Sequence, residues 1–191
     1  MKDKINIIAV NSINKFKAKD WDNCNKNGNV FLSYNFLKLL EDSNSIGGNT
    51  GWQPVYFCLK VNDKITAIVP SFIKYHSQGE FVFDHSWAQA YQSLGLNYYP
   101  KLLIASPFSP VTGKRILVTP NANDPIKRKL FNFIKDFCKE KEISSIHINF
   151  FEEHELDFLK NEGFLIRYGE QFHFTNNNYN TNDYLMETLI L

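Results

Sequence analysis

The sequence predicts a mixed α/β fold, with a largely antiparallel first half and βαβ character in the second. Three observations carry this. Residues 55–61 and 64–75 are two apolar strands joined by Asn62-Asp63, the signature of a hairpin. Residues 101–105 are an unbroken apolar run after Lys101, as expected of a strand covered on both faces. After Asp124-Pro125, Ile126, Leu130, Ile134, Phe137 and Cys138 fall on one helical face, and alternating Ile146, Ile148 and Phe150 follow.

Each element has its own local signal. Residues 5–10 (INIIAV) read as a first strand, and Asp20-Trp21-Asp22 as a turn or short helix. Ser33 is placed to cap a helix whose buried stripe is Phe36, Leu37 and Leu40. Pro70, inside the second arm of the hairpin, predicts a bulge or an edge, because proline offers no ladder donor. Residues 80–84 (EFVFD) alternate as a short strand, and Ser86 to Gln89 has the form of a capping box opening a helix with Trp87, Tyr91 and Leu94 on one side. Gly95 is its predicted stop. Residues 115–118 read as another strand, Asp124 as a helix cap with Pro125 behind it, and Glu152-Glu153 as the start of a short helix closed by Gly163. Residues 164–174 predict a last strand with Arg167, Gln171 and His173 on its polar face; Tyr184, Leu185, Leu189 and Ile190 begin a further helical pattern.

Composition narrows the class. The 191 residues are 43% hydrophobic and 15% aromatic, enough for one packed domain. A net charge of +1 gives no electrostatic reason to expect DNA as a partner. Cys24, Cys58 and Cys138 are widely spaced and form no C-x-x-C, so buried thiols are expected and no metal site. No run reaches membrane-spanning length and none at the start suits a signal peptide, so a cytoplasmic protein is expected.

Chemistry-bearing residues concentrate in residues 77–114, SQGEFVFDHSWAQAYQSLGLNYYPKLLIASPFSPVTGK. Asp84 and His85 fall where a strand hands over to a helix N-terminus, a place where backbone N–H groups and a positive dipole end collect. Either an acid–imidazole site or a simple cap fits that position. Lys127, Arg128 and Lys129 crowd the first turn of the next helix against its dipole, which suits a docked anion such as phosphate or a solvated surface.

These residues resemble a bacterial FemAB-like family, described as peptidoglycan biosynthesis or recognition proteins within the GNAT N-acyltransferase superfamily. The resemblance lies in FLSYNFLKLLE (31–41), TGWQP (50–54), HSQGEFVFDH (76–85), WAQAY (87–91), YYPKL (98–102), PFSPVTG (107–113), GF (163–164) and QFH (171–173). It implies a GNAT-like mixed, mostly antiparallel sheet flanked by helices. It also implies two such halves in longer relatives, so residues 1–175 are expected to be the first half and residues 176–191 a linker and the stub of a second, truncated one.

The implied activity is transfer of an acyl or aminoacyl group to an amine, in cell-envelope metabolism. The donor would be acyl-CoA or aminoacyl-tRNA, and the acceptor a small molecule or peptidoglycan precursor. The alternatives are a non-catalytic half-enzyme or ligand-recognition module that pairs with a separately encoded second half or with a second copy, and an inactive fragment of a split gene. Attack by an amine needs a proton acceptor and donors for the oxyanion. Asp84, His85 and Glu80 are the candidates for proton handling. Ser77, Gln78, Trp87, Tyr98, Tyr99, Lys101, Thr112, Arg115, Arg167, Gln171 and His173 are the candidates for substrate binding. The glycine-rich phosphate loop of acyl-CoA enzymes is absent before Asp124, and Pro107 and Pro110 remove backbone donors nearby.

Overall fold

The computed structural model describes residues 3–26, 28–172 and 174–175. Six strands form one sheet of order β1-β2-β3-β4-β6, with β5 also on β3: β1 Ile5–Val10, β2 Trp52–Val61, β3 Lys64–Lys74, β4 Lys101–Ile104, β5 Leu117–Val118 and β6 Ile146–Ile148. The helices are α1 Ala18–Cys24, α2 Tyr34–Asp42, α3 His85–Ser93, α4 Asp124–Glu140 and α5 Leu156–Asn161.

Alternation along the strands sorts the core into two layers. Trp21, Leu37, Tyr56, Ile68, Phe72 and Leu103 pack together on the side of α1 and α2. Phe57, Val69, Leu102, Ile104, Phe131, Ile134 and Phe158 pack on the other, under α4 and α5. The β2–β3 hairpin turns through Asn62 (φ 50°) and Asp63 (φ 64°), the left-handed pair that matches strand twist. Ser33 caps α2 by accepting a hydrogen bond from Phe36 N at 3.3 Å, as its spacing predicts.

The β3 strand has two successive partners on one side. Phe72 to Lys74 pair with β4, whereas Ala67 and Ile68 pair with β5. Thus β4 and β5 are two pieces of one strand path, interrupted by an excursion over residues 105–116. Pro70 falls between the two partners, and the register irregularity lies at Leu59/Lys60 instead. The predicted bulge is therefore elsewhere, because the gap already frees Pro70 from one ladder. β6 runs parallel to β4, and just past its end Phe150 O accepts from Gly113 N at 3.0 Å and holds the excursion.

Several local expectations are corrected. Residues 80–84 are a loop: Phe81 has φ 57°, Glu80 and Asp84 are buried at 3% and 2% exposure, and Phe83 is 81% exposed. Two buried lysines draw the carboxylates inward and reverse the facing that alternation predicts. The helix after it starts one residue early, at His85, with Asp84 as N-cap and no side-chain cap bond. Its predicted apolar stripe is not buried: α3 buries no residue, and Tyr91 meets Tyr98 only edge-on, with ring centroids 5.2 Å apart. Asn123, not Asp124, caps α4, accepting from Ile126 N at 3.2 Å. Residues 164–172 form no ladder, and Leu165 and Phe172 are almost fully exposed. A strand needs a neighbour to take its hydrogen bonds, and none among the described residues does. The predicted helix from Tyr184, and the division at residue 176, lie outside the described residues.

Candidate functional site

Charged and hydroxyl side chains of the 77–101 stretch gather into a buried ionic cluster on the α1–α2 side of the sheet. Lys74 on β3 and Lys101 on β4 are register partners, and both have fully buried side chains. Lys101 Nζ lies 2.5 Å from Asp84 Oδ2, 2.9 Å from Glu80 Oε2 and 2.8 Å from Ser77 Oγ. Lys74 Nζ is 3.8 Å from Glu80 Oε1, sits 3.6 Å from the centroid of Trp52, and donates to Gln78 O at 3.2 Å. Tyr98 OH donates to Asp84 Oδ2 at 2.7 Å, and Ser77 Oγ shares a hydrogen bond with Tyr99 OH at 2.7 Å. Buried charges persist only when paired in this way.

Each ionisation follows from that packing. Burial pushes the Lys74 ammonium down to about 7, against the pull of Glu80. Burial pushes the Glu80 carboxyl up, although Lys101 opposes it. For Asp84 burial acts upward too, but the bonds from Lys101 and Tyr98 outweigh it and hold the carboxyl low. His147, on β6 opposite Leu103, is pushed down to about 4 by burial and by Lys101, and its Nε2 lies 2.9 Å from Ser145 Oγ.

The Lys74 shift has a measurable consequence. A lysine whose folded value lies below its unfolded 10.5 binds fewer protons folded than unfolded between about 7 and 10.5. Its contribution therefore makes the fold more stable as pH rises through that window. Lys74→Met is expected to flatten the rise, as read by urea unfolding at a series of pH values. A slope unchanged by the substitution would exclude this role.

The structure brings Glu80, Asp84, Ser77, Tyr98, Tyr99 and Lys101 together, with Gln78 joining through its main-chain carbonyl. It separates the others. His85 and Trp87 are exposed on α3, where Arg167 lies 5.4 Å from the Trp87 ring centroid. Gln171 Nε2 donates to Pro110 O at 2.7 Å, and Thr112 is exposed in the excursion between β4 and β5. Arg115 is buried at 1% exposure and serves as a staple: Nε donates to Asn149 O at 2.7 Å, Nη2 to Val111 O at 2.6 Å and Nη1 to Lys114 O at 3.3 Å. His173 lies outside the described residues.

A cavity of about 360 Å³ opens beside β5 and the segment that follows it. Lys26, Lys114, Lys127 and His154 line it, together with Glu155 and Phe158. It sits where β5 ends, α4 begins and α5 packs. Sequence reading singled out Lys127 alone among these, because the others come from distant segments. The signal for Lys74 was present in its phase with Phe72, which puts it on the inward face. No group of His, Cys, Asp or Glu side chains among the described residues is arranged to hold a metal.

A mostly antiparallel sheet with its fourth strand path interrupted, and parallel to the strand that follows the next helix, is the architecture of the GNAT acyltransferases. Three solved structures match it. Aminoglycoside N-acetyltransferase AAC(6')-Iy, in complex with CoA, aligns over 92% of this chain and 97% of its own, with a TM-score of 0.57 at 11% identity. The aminoglycoside acetyltransferase meta-AAC0020 from an uncultured soil metagenomic sample, in complex with trehalose, aligns over 90% and 95%, with a TM-score of 0.52 at 16% identity. The ribosomal-protein-alanine N-acetyltransferase of Brucella melitensis biovar Abortus 2308 aligns over 90% and 99%, with a TM-score of 0.52 at 10% identity. At such identities these establish the fold. No curated protein matches the chain in sequence. The chain belongs to the FemAB-like family of peptidoglycan biosynthesis/recognition proteins, which it matches over residues 12–190.

Proposed function

We propose that the chain is an N-acyltransferase that takes its acyl group from acyl-CoA and delivers it to an amine, with a peptidoglycan precursor as the acceptor class the family description suggests. The observation that carries this is the lysine-rimmed cavity at the β5–α4 junction of a GNAT fold. The segment joining β5 to α4 contains no glycine, so lysine side chains supply the positive charge that a glycine-rich loop would supply with N–H groups. CoA in the AAC(6')-Iy complex supports this choice of donor over aminoacyl-tRNA. Glu80 and Asp84 act by holding the 77–84 loop against Lys101. Among the three candidates for proton handling, His85 is the one a solvent-borne amine reaches.

The experiment is titration of CoA into the purified chain, followed by acetyl-CoA turnover with a panel of amines. Lys114→Ala/Lys127→Ala is expected to weaken CoA by up to roughly thirtyfold, since each lost solvent-exposed charge contact is worth at most about 1 kcal/mol. No CoA binding at millimolar concentration would end this reading. A second reading, a recognition module that pairs with a second half or a second copy, is favoured by α3, which buries no residue and carries no Asp, Glu, Lys or Arg. Binding without turnover, together with a dimer mass by light scattering, would support it.

A further inference from the structure

The basic cavity contains one group of the wrong sign. Glu155 lines the same wall as Lys26, Lys114 and Lys127, at 4% exposure. Just before β5 the chain bends at Arg115 and Ile116, and this turns two consecutive N–H groups toward one point. The Glu155 carboxylate takes both. Arg115 N donates to its two oxygens at 3.1 and 3.0 Å, and Ile116 N donates to Oε1 at 2.8 Å. Adjacent backbone N–H groups that converge in this way form an anion cradle. The Arg115 guanidinium does not neutralise the carboxylate by contact, because its donors go to main-chain carbonyls.

We propose that Glu155 is a built-in occupant of this cradle, and that the phosphoryl group of a ligand entering between the lysines displaces it to bind the Arg115 and Ile116 N–H pair. The inference rests on the donor-site reading above and deepens it. A phosphoryl group is drawn in by Lys26, Lys114 and Lys127 but repelled by an ionised Glu155 in the same wall. The repulsion ends when the side chain turns away or takes a proton. Burial pushes the Glu155 carboxyl up against the pull of its N–H bonds, of His154 and of Arg115, which brings protonation nearer to neutral pH. The other groups facing the cavity are Lys127, paired with Asp124 at 2.8 Å, and His154, paired with Glu152 at 3.0 Å. Because His154 lines the same cavity, it needs its own control.

The test is calorimetric titration of inorganic pyrophosphate and of CoA into the full chain, comparing the unmodified protein with Glu155→Gln. Glutamine keeps an acceptor for the N–H pair and removes the charge. Pyrophosphate is expected to bind roughly tenfold tighter to Glu155→Gln at pH 8, since like charges set side by side cost a comparable factor. The advantage should shrink as pH falls, because burial raises the native carboxyl and lets it take a proton sooner than an exposed one. In a His154→Gln background the part of the pH dependence that Glu155→Gln removes should belong to Glu155, the remainder being the change in charge of pyrophosphate itself. If Glu155→Gln fails to fold, Glu155→Asp, whose shorter side chain draws back from the N–H pair, is the second variant and should likewise bind pyrophosphate more tightly. Equal affinities for the two proteins, or a gain for CoA without one for pyrophosphate, would overturn the proposal while leaving the donor site intact. A preserved gain with no acyl transfer would overturn the donor reading alone.

Discussion

Lys101→Met is expected to cost about 3–5 kcal/mol of stability, the usual penalty for removing one partner from a buried ion pair. Lys101 Nζ stands between Glu80 and Asp84 and also donates to Ser77, with no side-chain exposure to let water replace it. Its loss leaves two buried carboxylates facing each other, with Lys74 at 3.8 Å from Glu80 as the remaining cation. For a chain of this size such a loss lowers the melting temperature by roughly 10 °C. Adding Glu80→Gln and Asp84→Asn should recover part of it, because the uncompensated charge goes with them. A melting curve for Lys101→Met that overlays the unmodified one would show that the cluster does not hold the loop.

Arg115→Met should cost about 2–4 kcal/mol, through a different mechanism. The carbonyls of Val111, Lys114 and Asn149 lose their donors in a buried setting, and Glu155 keeps its N–H bonds but loses a nearby cation. The damage should be local. Residues 105–114 have few other anchors, notably Gly113 N on Phe150 O, so limited proteolysis is expected to cut there well before the sheet unfolds. Uniform protection of that segment in the variant would contradict the staple. The two substitutions touch different networks, and their costs should add.

How far these results were legible in the sequence can be argued from particular elements. The hairpin was readable because Asn62-Asp63 and the flanking alternation are local signals. The α4 stripe was readable because helical period is local too; only its cap moved by one residue, from Asp124 to Asn123. The 80–84 segment shows the limit. Its alternation reads as a strand with Phe81 and Phe83 on one face, yet both rings are exposed while Glu80 and Asp84 turn inward. The reason lies outside the segment, in Lys74 and Lys101, two ammonium groups that the β3–β4 register buries side by side. Asp84 and His85, adjacent in sequence, point into different environments for the same cause. The lysine-rimmed cavity was less visible still, since Lys26, Lys114 and His154 lie on three segments that meet only through the fold.

The sequence by itself determined the mixed α/β class, the family membership and most of the strands and helices, though not the strands expected at 80–84 and 164–174, because these rest on residue periodicity and on long contiguous strings. Tertiary structure alone decided which charged groups meet: Lys74 with Glu80, Lys101 with Asp84, and Glu155 with the Arg115–Ile116 N–H pair. Electrostatic pairing depends on distance and burial rather than on order along the chain, and a one-dimensional pattern contains neither.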